Sequence, residues 1–350
     1  MRVNGAKLSK QLMSATSVEN IAASLFKGKK VLITGGLGFI GSNLAIRCLE
    51  LGADVSIYDN LDQNSGGRIS NIDGFRSSVR LGFHDLLNFE ELIKYAEDQD
   101  IVFNCAASTS HPFSMREPWL NLDANSRGVI NMLEVLRKFN PEARFVHVGT
   151  TTQFGKLQYR PADELHPEFP TDIYSANKCV SEKYVLIYAT AYGMRNTVIR
   201  LPNVYGPRAS IHSPEFTFNN YFVGLALQNK DITVYGEGSQ LRNSIYVEDA
   251  VNALTEAASA NHLYGQTYLA VHEEHFSVAQ IAEATVKNIG SGQVKYVDWP
   301  HGRKNIEIGD AVMTNKKIEK ALGWAAKYSL DDGLALTGEY YRPRLKSYLG

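Results

Sequence analysis

The chain has 350 residues, 44% of them apolar, with 36 basic and 37 acidic side chains and a formal charge of −1. This length suits two lobes better than one core, and a near-neutral chain offers no obvious surface for nucleic acid or anionic lipid. Its three cysteines, Cys48, Cys105 and Cys179, are odd in number and widely spaced, which excludes a disulfide framework or a metal-ligand cluster and fits a reducing compartment.

No run approaches the ~20 apolar residues of a membrane span, and the N-terminus has no apolar core of signal-peptide length. A soluble, cytoplasmic protein is expected. Residues 1–28 read as a surface arm, with a short helical pattern over 17–26 that Ser17 would cap. From Lys30 onward, short apolar runs alternate with helical patterns. Strands are expected at Lys30–Thr34, Asp54–Tyr58, 79–83, 101–105, 144–148 and 197–200, with helices at 41–51, 89–95, 125–139 and 174–192. Such βαβα alternation, with strands apolar on both faces, predicts an α/β fold with a Rossmann-type doubly wound parallel sheet. After Pro202 turn residues become dense and short extended pieces such as 232–235 appear. The expected organisation is an arm (1–28), a mainly dinucleotide-binding domain (29–202) and a smaller C-terminal substrate lobe (203–350), some of whose segments return to the first domain.

The first strand runs into Gly35-Gly36-Leu37-Gly38-Phe39-Ile40-Gly41. Glycines spaced G-x-x-G-x-x-G on a strand-to-helix turn let a pyrophosphate approach backbone N–H groups at a helix N-terminus, and the last glycine lets helix and strand pack closely. Asp59 ends the second strand about 20 residues on, where a carboxylate holds the adenosine ribose 2′-hydroxyl and repels a 2′-phosphate. The cofactor expected is therefore NAD, with Asp59 as a plain turn residue the alternative. Asp85 and Leu86, after the third strand, are placed to meet the adenine. Ala106 and Ala107, after Asn104-Cys105, leave room for the middle of the cofactor. Both segments would also serve simply to end a strand.

Tyr174 and Lys178 stand at i and i+4, one helical turn apart on one face. A free tyrosine, with a pKa near 10, is a poor base at neutral pH, and a nearby lysine cation should lower it. Alone, such a pair is more often a solvated helix face. Thr150-Thr151-Thr152-Gln153-Phe154-Gly155 alters that reading by supplying hydroxyls at the end of the fifth strand.

Taken in order, these segments resemble the nucleotide-sugar epimerase and dehydratase branch of the extended short-chain dehydrogenase/reductase family. The resemblance runs from about Lys30 to the C-terminus. It includes Asn125-Ser126-Arg127-Gly128, Arg200-Leu201-Pro202-Asn203-Val204-Tyr205-Gly206-Pro207-Arg208 and Tyr235-Gly236-Glu237-Gly238-Ser239-Gln240-Leu241-Arg242-Asn243. It implies Tyr174 as base, Thr150 as the hydroxyl beside it, and Lys178 on the nicotinamide ribose. Gly35, Leu37, Gly38, Phe39, Ile40, Gly41, Asp59, Asn60, Asp85, Leu86, Ala106, Ala107 and Asn125 would surround the cofactor. Thr151, Asn203, Asn219, Tyr235, Arg242 and Arg303 would meet a nucleotide sugar, with arginine forks matching its phosphates. No metal is implied.

Dehydratases of this branch carry Thr-Asp-Glu where this chain has Thr150-Thr151-Thr152, and its decarboxylases carry a glutamate at the place of Thr152. The resemblance therefore implies an epimerase, acting at C4 of a hexose such as that of UDP-glucose/UDP-galactose or an N-acetyl analogue. The alternatives are epimerisation at another carbon, a keto-sugar reductase, and a non-catalytic NAD- or nucleotide-sugar-binding regulator. His111, in Ser108-Thr109-Ser110-His111-Pro112-Phe113, is either an additional acid–base group or a surface histidine. Ala311 would widen the sugar pocket. The family pattern also implies a homodimer through a four-helix interface, to which Val129, Met132, Leu133 and Leu136, with Val180, Tyr184, Ile187 and Tyr188, would contribute. The competing reading makes these residues ordinary core.

Overall fold

A computed structural model describes residues 24–62, 64–300 and 307–349. Most of the helix expected over 17–26 lies outside the described residues. Seven parallel strands form the main sheet: β1 (Lys30–Thr34), β2 (Asp54–Tyr58), β3 (Val79–Gly82), β4 (Ile101–Asn104), β5 (Arg144–Thr150), β6 (Arg195–Leu201) and the strand Gln266–Leu269. Their spatial order is Gln266–Leu269, β6, β5, β4, β1, β2, β3. The order reverses beside β1, so a crevice opens at the carboxyl ends of β1 and β4, where open α/β sheets bind ligands.

Register makes that crevice precise. Thr34 pairs with Tyr58 on one side and Asn104 on the other. Gly35, Asp59 and Cys105 thus leave the sheet side by side. Along β1 the side chains alternate: Val31 and Ile33 join one buried cluster and Leu32 joins the other. The sheet is covered on both faces, as the continuous apolar strands required.

The helices relevant to the site are α1 (Phe39–Glu50), α2 (Phe89–Ala96), α3 (His111–Arg116), α4 (Pro118–Leu122), α5 (Gly128–Phe139) and α6 (Ile173–Tyr192). α1 starts two residues before the expected position because Gly38 serves as its N-cap without a side chain. The helix expected from Asn125 begins instead as a π-turn, Asp123–Arg127, before α5. α6 is closed by Asp172, whose carboxylate accepts from Ser175 N, and by Gly193 in the left-handed conformation.

The strand Gln266–Leu269 was not expected from the sequence. It returns from the C-terminal part of the chain to extend the sheet beyond β6. The remaining C-terminal elements include the parallel pair Asp231–Tyr235 and Gln293–Val297, with helices Phe218–Leu227, Val278–Ile289 and Leu330–Tyr341. Val129, Met132, Leu133 and Leu136 on α5 are fully buried within this chain, against the sheet. Assigning them to a dimer interface is therefore corrected: they are core. Val180 and Ile187 on α6 are exposed, and Tyr184 and Tyr188 partly so. Among the described residues, no helix is long and apolar enough to cross a membrane.

Candidate active site

One cavity spans the carboxyl ends of the strands. It is lined at one end by Gly35, Gly38, Phe39, Ile40 and Gly41, and at the other by Thr150, Thr152, Tyr174 and Asn203. The glycine turn is tightly built. A Cβ on Gly41 would overlap Gly35 O, and one on Gly35, where φ is +67°, would meet Ala106 N at 2.6 Å. No side chain caps the first turn of α1, so its backbone N–H groups face the cavity at the positive end of the helix dipole. This fits a pyrophosphate. Leu37 is buried and outside the lining, its N–H donating to Asp59 Oδ2 at 3.0 Å.

Asp59 lines the cavity and is held from both sides, its Oδ1 accepting from Leu61 N at 2.8 Å. Burial raises its carboxyl above the usual range, and the Leu61 and Leu37 N–H bonds counter it. Asn60 donates to Asp85 Oδ2 at 2.7 Å, closing the end of the cavity beside β3. Leu86, Ala106, Ala107 and Lys178 also line it. Asn125 is buried outside the lining, where it donates to Ser108 O at 2.9 Å and fixes the loop after β4. Glycines, uncapped helix and buried carboxylate together fit a dinucleotide with a free 2′-hydroxyl.

At the opposite end, β5 delivers Thr150 and α6 delivers Tyr174 and Lys178. Burial pushes the Tyr174 phenol up to about 12; a hydrogen bond with Thr150 works against this, and Asp172 adds to it. Lys178 is itself pulled down to about 8 by burial. Its ammonium donates to Val148 O at 2.6 Å and lies 3.3 Å from His147 Nε2. Of the neighbouring groups, Thr150 lowers the phenol and Asp172 raises it. His147, buried on β5, is held well below its usual value by burial and by Lys178. It also meets Asn104 Nδ2 at 3.0 Å. Sequence reading missed His147 because an apolar strand gives no hint of what a single buried ring touches.

Of the threonines after Thr150, Thr152 rather than Thr151 lines the cavity. Its Oγ1 lies 3.1 Å from Thr150 Oγ1 and accepts from Ser175 Oγ at 2.9 Å. Thr151 is buried in a 3-10 turn. His111 lines the cavity as well. Its Nδ1 lies 2.8 Å from Asp172 Oδ2, and its ring packs edge-on to Tyr174 with centroids 4.9 Å apart. The ring thus stands in the cavity wall, with its side chain 38% exposed. Asp172 was not singled out in the sequence, where an acid just before a helix reads as a cap and nothing more.

The expected sugar-nucleotide ligands are only partly brought together. Asn203 lines the cavity, donating to Asn243 O at 3.2 Å. Asn219, Tyr235 and Arg242 lie outside its lining. Asn219 is buried and donates to Ser244 Oγ at 3.0 Å. Tyr235 packs on Trp299 with centroids 5.6 Å apart. Arg242 is engaged by Glu307 Oε1 at 2.5 Å and by Gly309 O at 2.7 Å. Ala311 packs on the small cluster of Phe154, Leu269 and Met313. Arg303 lies outside the described residues. Among the described residues no cluster of metal-ligating side chains occurs.

A family model described as GDP-mannose 4,6 dehydratase matches residues 32–337. A putative UDP-glucose 4-epimerase from Methanocaldococcus jannaschii is 30% identical over 305 residues, covering 87% of this chain and 95% of that protein. UDP-glucuronic acid decarboxylase 1 from Xenopus tropicalis is 29% identical over 328 residues, covering 91% and 73%. Among solved structures, the UDP-glucose 4-epimerase of Thermus thermophilus in complex with NAD aligns with a TM-score of 0.79 at 27% identity, covering 90% of this chain and 99% of that one.

Proposed function

The chain belongs to the GDP-mannose 4,6-dehydratase family, within the nucleotide-sugar branch of the extended short-chain dehydrogenases/reductases, and we propose that it epimerises a nucleotide-activated hexose at C4 through a transient 4-keto sugar. The chain is an NAD enzyme of this branch. Bound NAD supplies the acceptor, and then the donor, of the hydride.

The carboxylates that line the cavity carry the reading. They are Asp59, Asp62 and Asp85, which follow β2 and β3 at the cofactor end. Beside Tyr174, where water elimination or decarboxylation would use an acid, stands the hydroxyl of Thr152, hydrogen-bonded to Thr150 and Ser175. An epimerase needs no acid there. Tyr174 takes the proton of the C4 hydroxyl and later returns it. Thr150 steadies the phenol and the reacting oxygen. Lys178, anchored on Val148 O, offers its remaining N–H bonds to the nicotinamide ribose.

In this reading residues 29–202 mainly hold NAD, residues 203–350 mainly hold the sugar nucleotide, and UDP-glucose/UDP-galactose or an N-acetyl analogue is the substrate. For Arg242 to reach a diphosphate it must exchange Glu307 for phosphate oxygens. The exposed Met115, Trp119 and Leu120, with Val180 and Ile187 on α6, support a homodimer built on this face. A cytoplasmic location agrees with the unpaired cysteines.

The test is an NMR product assay with NAD and separate UDP-, dTDP-, GDP- and CDP-hexoses. A C4 epimer of unchanged mass without NADH accumulating is expected. Release of water or carbon dioxide overturns the assignment.

A further inference from the structure

His111 stands in the same cavity as Tyr174 but is oriented by different partners. Ser110 caps α3 through Phe113 N at 3.1 Å, and Pro112 fixes the next backbone angle, so the ring leaves a rigid turn. Asp172 receives the ring at Nδ1, 2.8 Å away. That carboxylate is itself fixed by Ser175 N at 2.8 Å and Ser175 Oγ at 3.1 Å. Burial pushes Asp172 up, but the hydrogen bonds with His111 and Ser175 outweigh it and hold the carboxyl below its usual range. An anion at Nδ1 selects the tautomer that leaves the Nε2 lone pair available to accept a proton. The Tyr174 phenol, by contrast, is steadied by Thr150. Two acid–base groups, each with its own hydrogen-bond partner, therefore share one cavity, their rings 4.9 Å apart.

Epimerisation by hydride transfer alone engages one of them. We propose that His111, held by Asp172, is a second catalytic base that removes a proton from a carbon adjacent to the sugar's keto group, making that carbon a second centre of exchange. The inference rests on the 4-keto sugar of the reading above. Once C4 is a ketone, the C–H bonds at C3 and C5 are acidified. In the step, one such C–H bond breaks and its electron pair enters an enolate whose charge sits on the former carbonyl oxygen. The proton passes to His111 Nε2. Return of a proton to the carbon restores the ketone. Nothing is oxidised or reduced, so no further co-reactant is required. Asp172 acts through His111 and is a positioning residue.

The test starts from a sugar that is already a ketone, so its outcome is independent of C4 turnover. UDP- and dTDP-4-keto-6-deoxy-D-glucose are incubated with the NAD-loaded protein in D2O, and the H3 and H5 signals are followed by NMR. Deuterium entry at C3 or C5 well above the enzyme-free rate is expected. His111→Asn should reduce it by about 100-fold or more, the usual size of a general-base contribution. Asp172→Asn keeps a side-chain oxygen able to cap α6, but its amide donates to Nδ1 and forces the proton onto Nε2. It should lower the exchange rate at saturation while leaving KM and helix content unchanged, which a merely structural role would not do. Should Asp172→Asn fail to fold, His111→Asn decides alone. Exchange no faster than without enzyme, or undiminished in His111→Asn, overturns the proposal. A C4 assay that fails while His111-dependent exchange persists would refute the proposed C4 reaction and leave this base in place.

Discussion

The Lys178 ammonium lies 3.3 Å from His147 Nε2; both groups are buried, Lys178 in the cavity wall and His147 behind it. Lys178 disfavours the proton on His147, and burial disfavours both charges, so His147 stays neutral and Lys178 is pulled down to about 8. The lysine is thus a group kept for function at some expense of stability.

That expense is measurable. A buried lysine at about 8 rather than the ordinary 10.5 destabilises the fold by about 3 kcal/mol below pH 8. Between pH 8 and 10.5 the unfolded chain binds the proton more tightly than the folded one, so wild-type stability rises with pH relative to a variant lacking the group. Lys178→Met is expected to melt several degrees higher than wild type at pH 7 without ligands, and to lose that advantage by pH 10.5. Differential scanning calorimetry across this range checks both, and turnover should be absent throughout.

The glycine turn gives a graded test. Gly41→Ala places a methyl group against Gly35 O and Gly36 Cα, both backbone, and the strand–helix junction must open. Loss of NAD binding by fluorescence titration and a lower melting temperature are expected. Gly74→Ala, which meets nothing within 4 Å, should change stability by no more than about 0.5 kcal/mol and leave NAD binding intact.

Asp59 supports the turn, and in the proposed role its charge also repels a 2′-phosphate. Asp59→Ala frees Leu37 N and Leu61 N and removes the negative charge. NAD should bind at least about tenfold more weakly, the size of a lost charge-assisted hydrogen bond, while the preference for NAD over NADP narrows. Calorimetric titration with both cofactors separates the two effects, and an unchanged preference would refute the role.

Beneath β5 and β6 lies a buried ion cluster. Arg200 donates to Glu182 at 2.8 and 2.6 Å and to Glu168, while Thr267 and Gln153 also donate to Glu182. Removing one partner strands a buried charge. Glu182→Ala should lose about 3–5 kcal/mol in urea denaturation, and the pair Arg200→Met, Glu182→Leu should lose less.

Ile187 is exposed in the C-terminal half of α6, on the face proposed for a second copy. Ile187→Glu should shift sedimentation from dimer to monomer without altering far-ultraviolet dichroism. A wild-type monomer at micromolar concentration would remove that assignment.

The sequence by itself determined the glycine turn, six strands of the sheet and the spacing of Tyr174 and Lys178. Each depends on local rules: alternation along a strand, a turn that accepts only glycine, and one helical turn between i and i+4. Tertiary structure alone decided that Thr152 rather than Thr151 faces the cavity, since that depends on how the 3-10 turn leaves β5. It brought His111 to Asp172 across 61 residues, and His147 to Lys178 across 31. It also sent Val129, Met132, Leu133 and Leu136 into this chain's own core. Apolar burial has no direction, so a periodic stripe reveals that a face is covered without revealing what covers it. Hydrogen-bond partners far apart in sequence are chosen by strand register and packing, which no local pattern encodes.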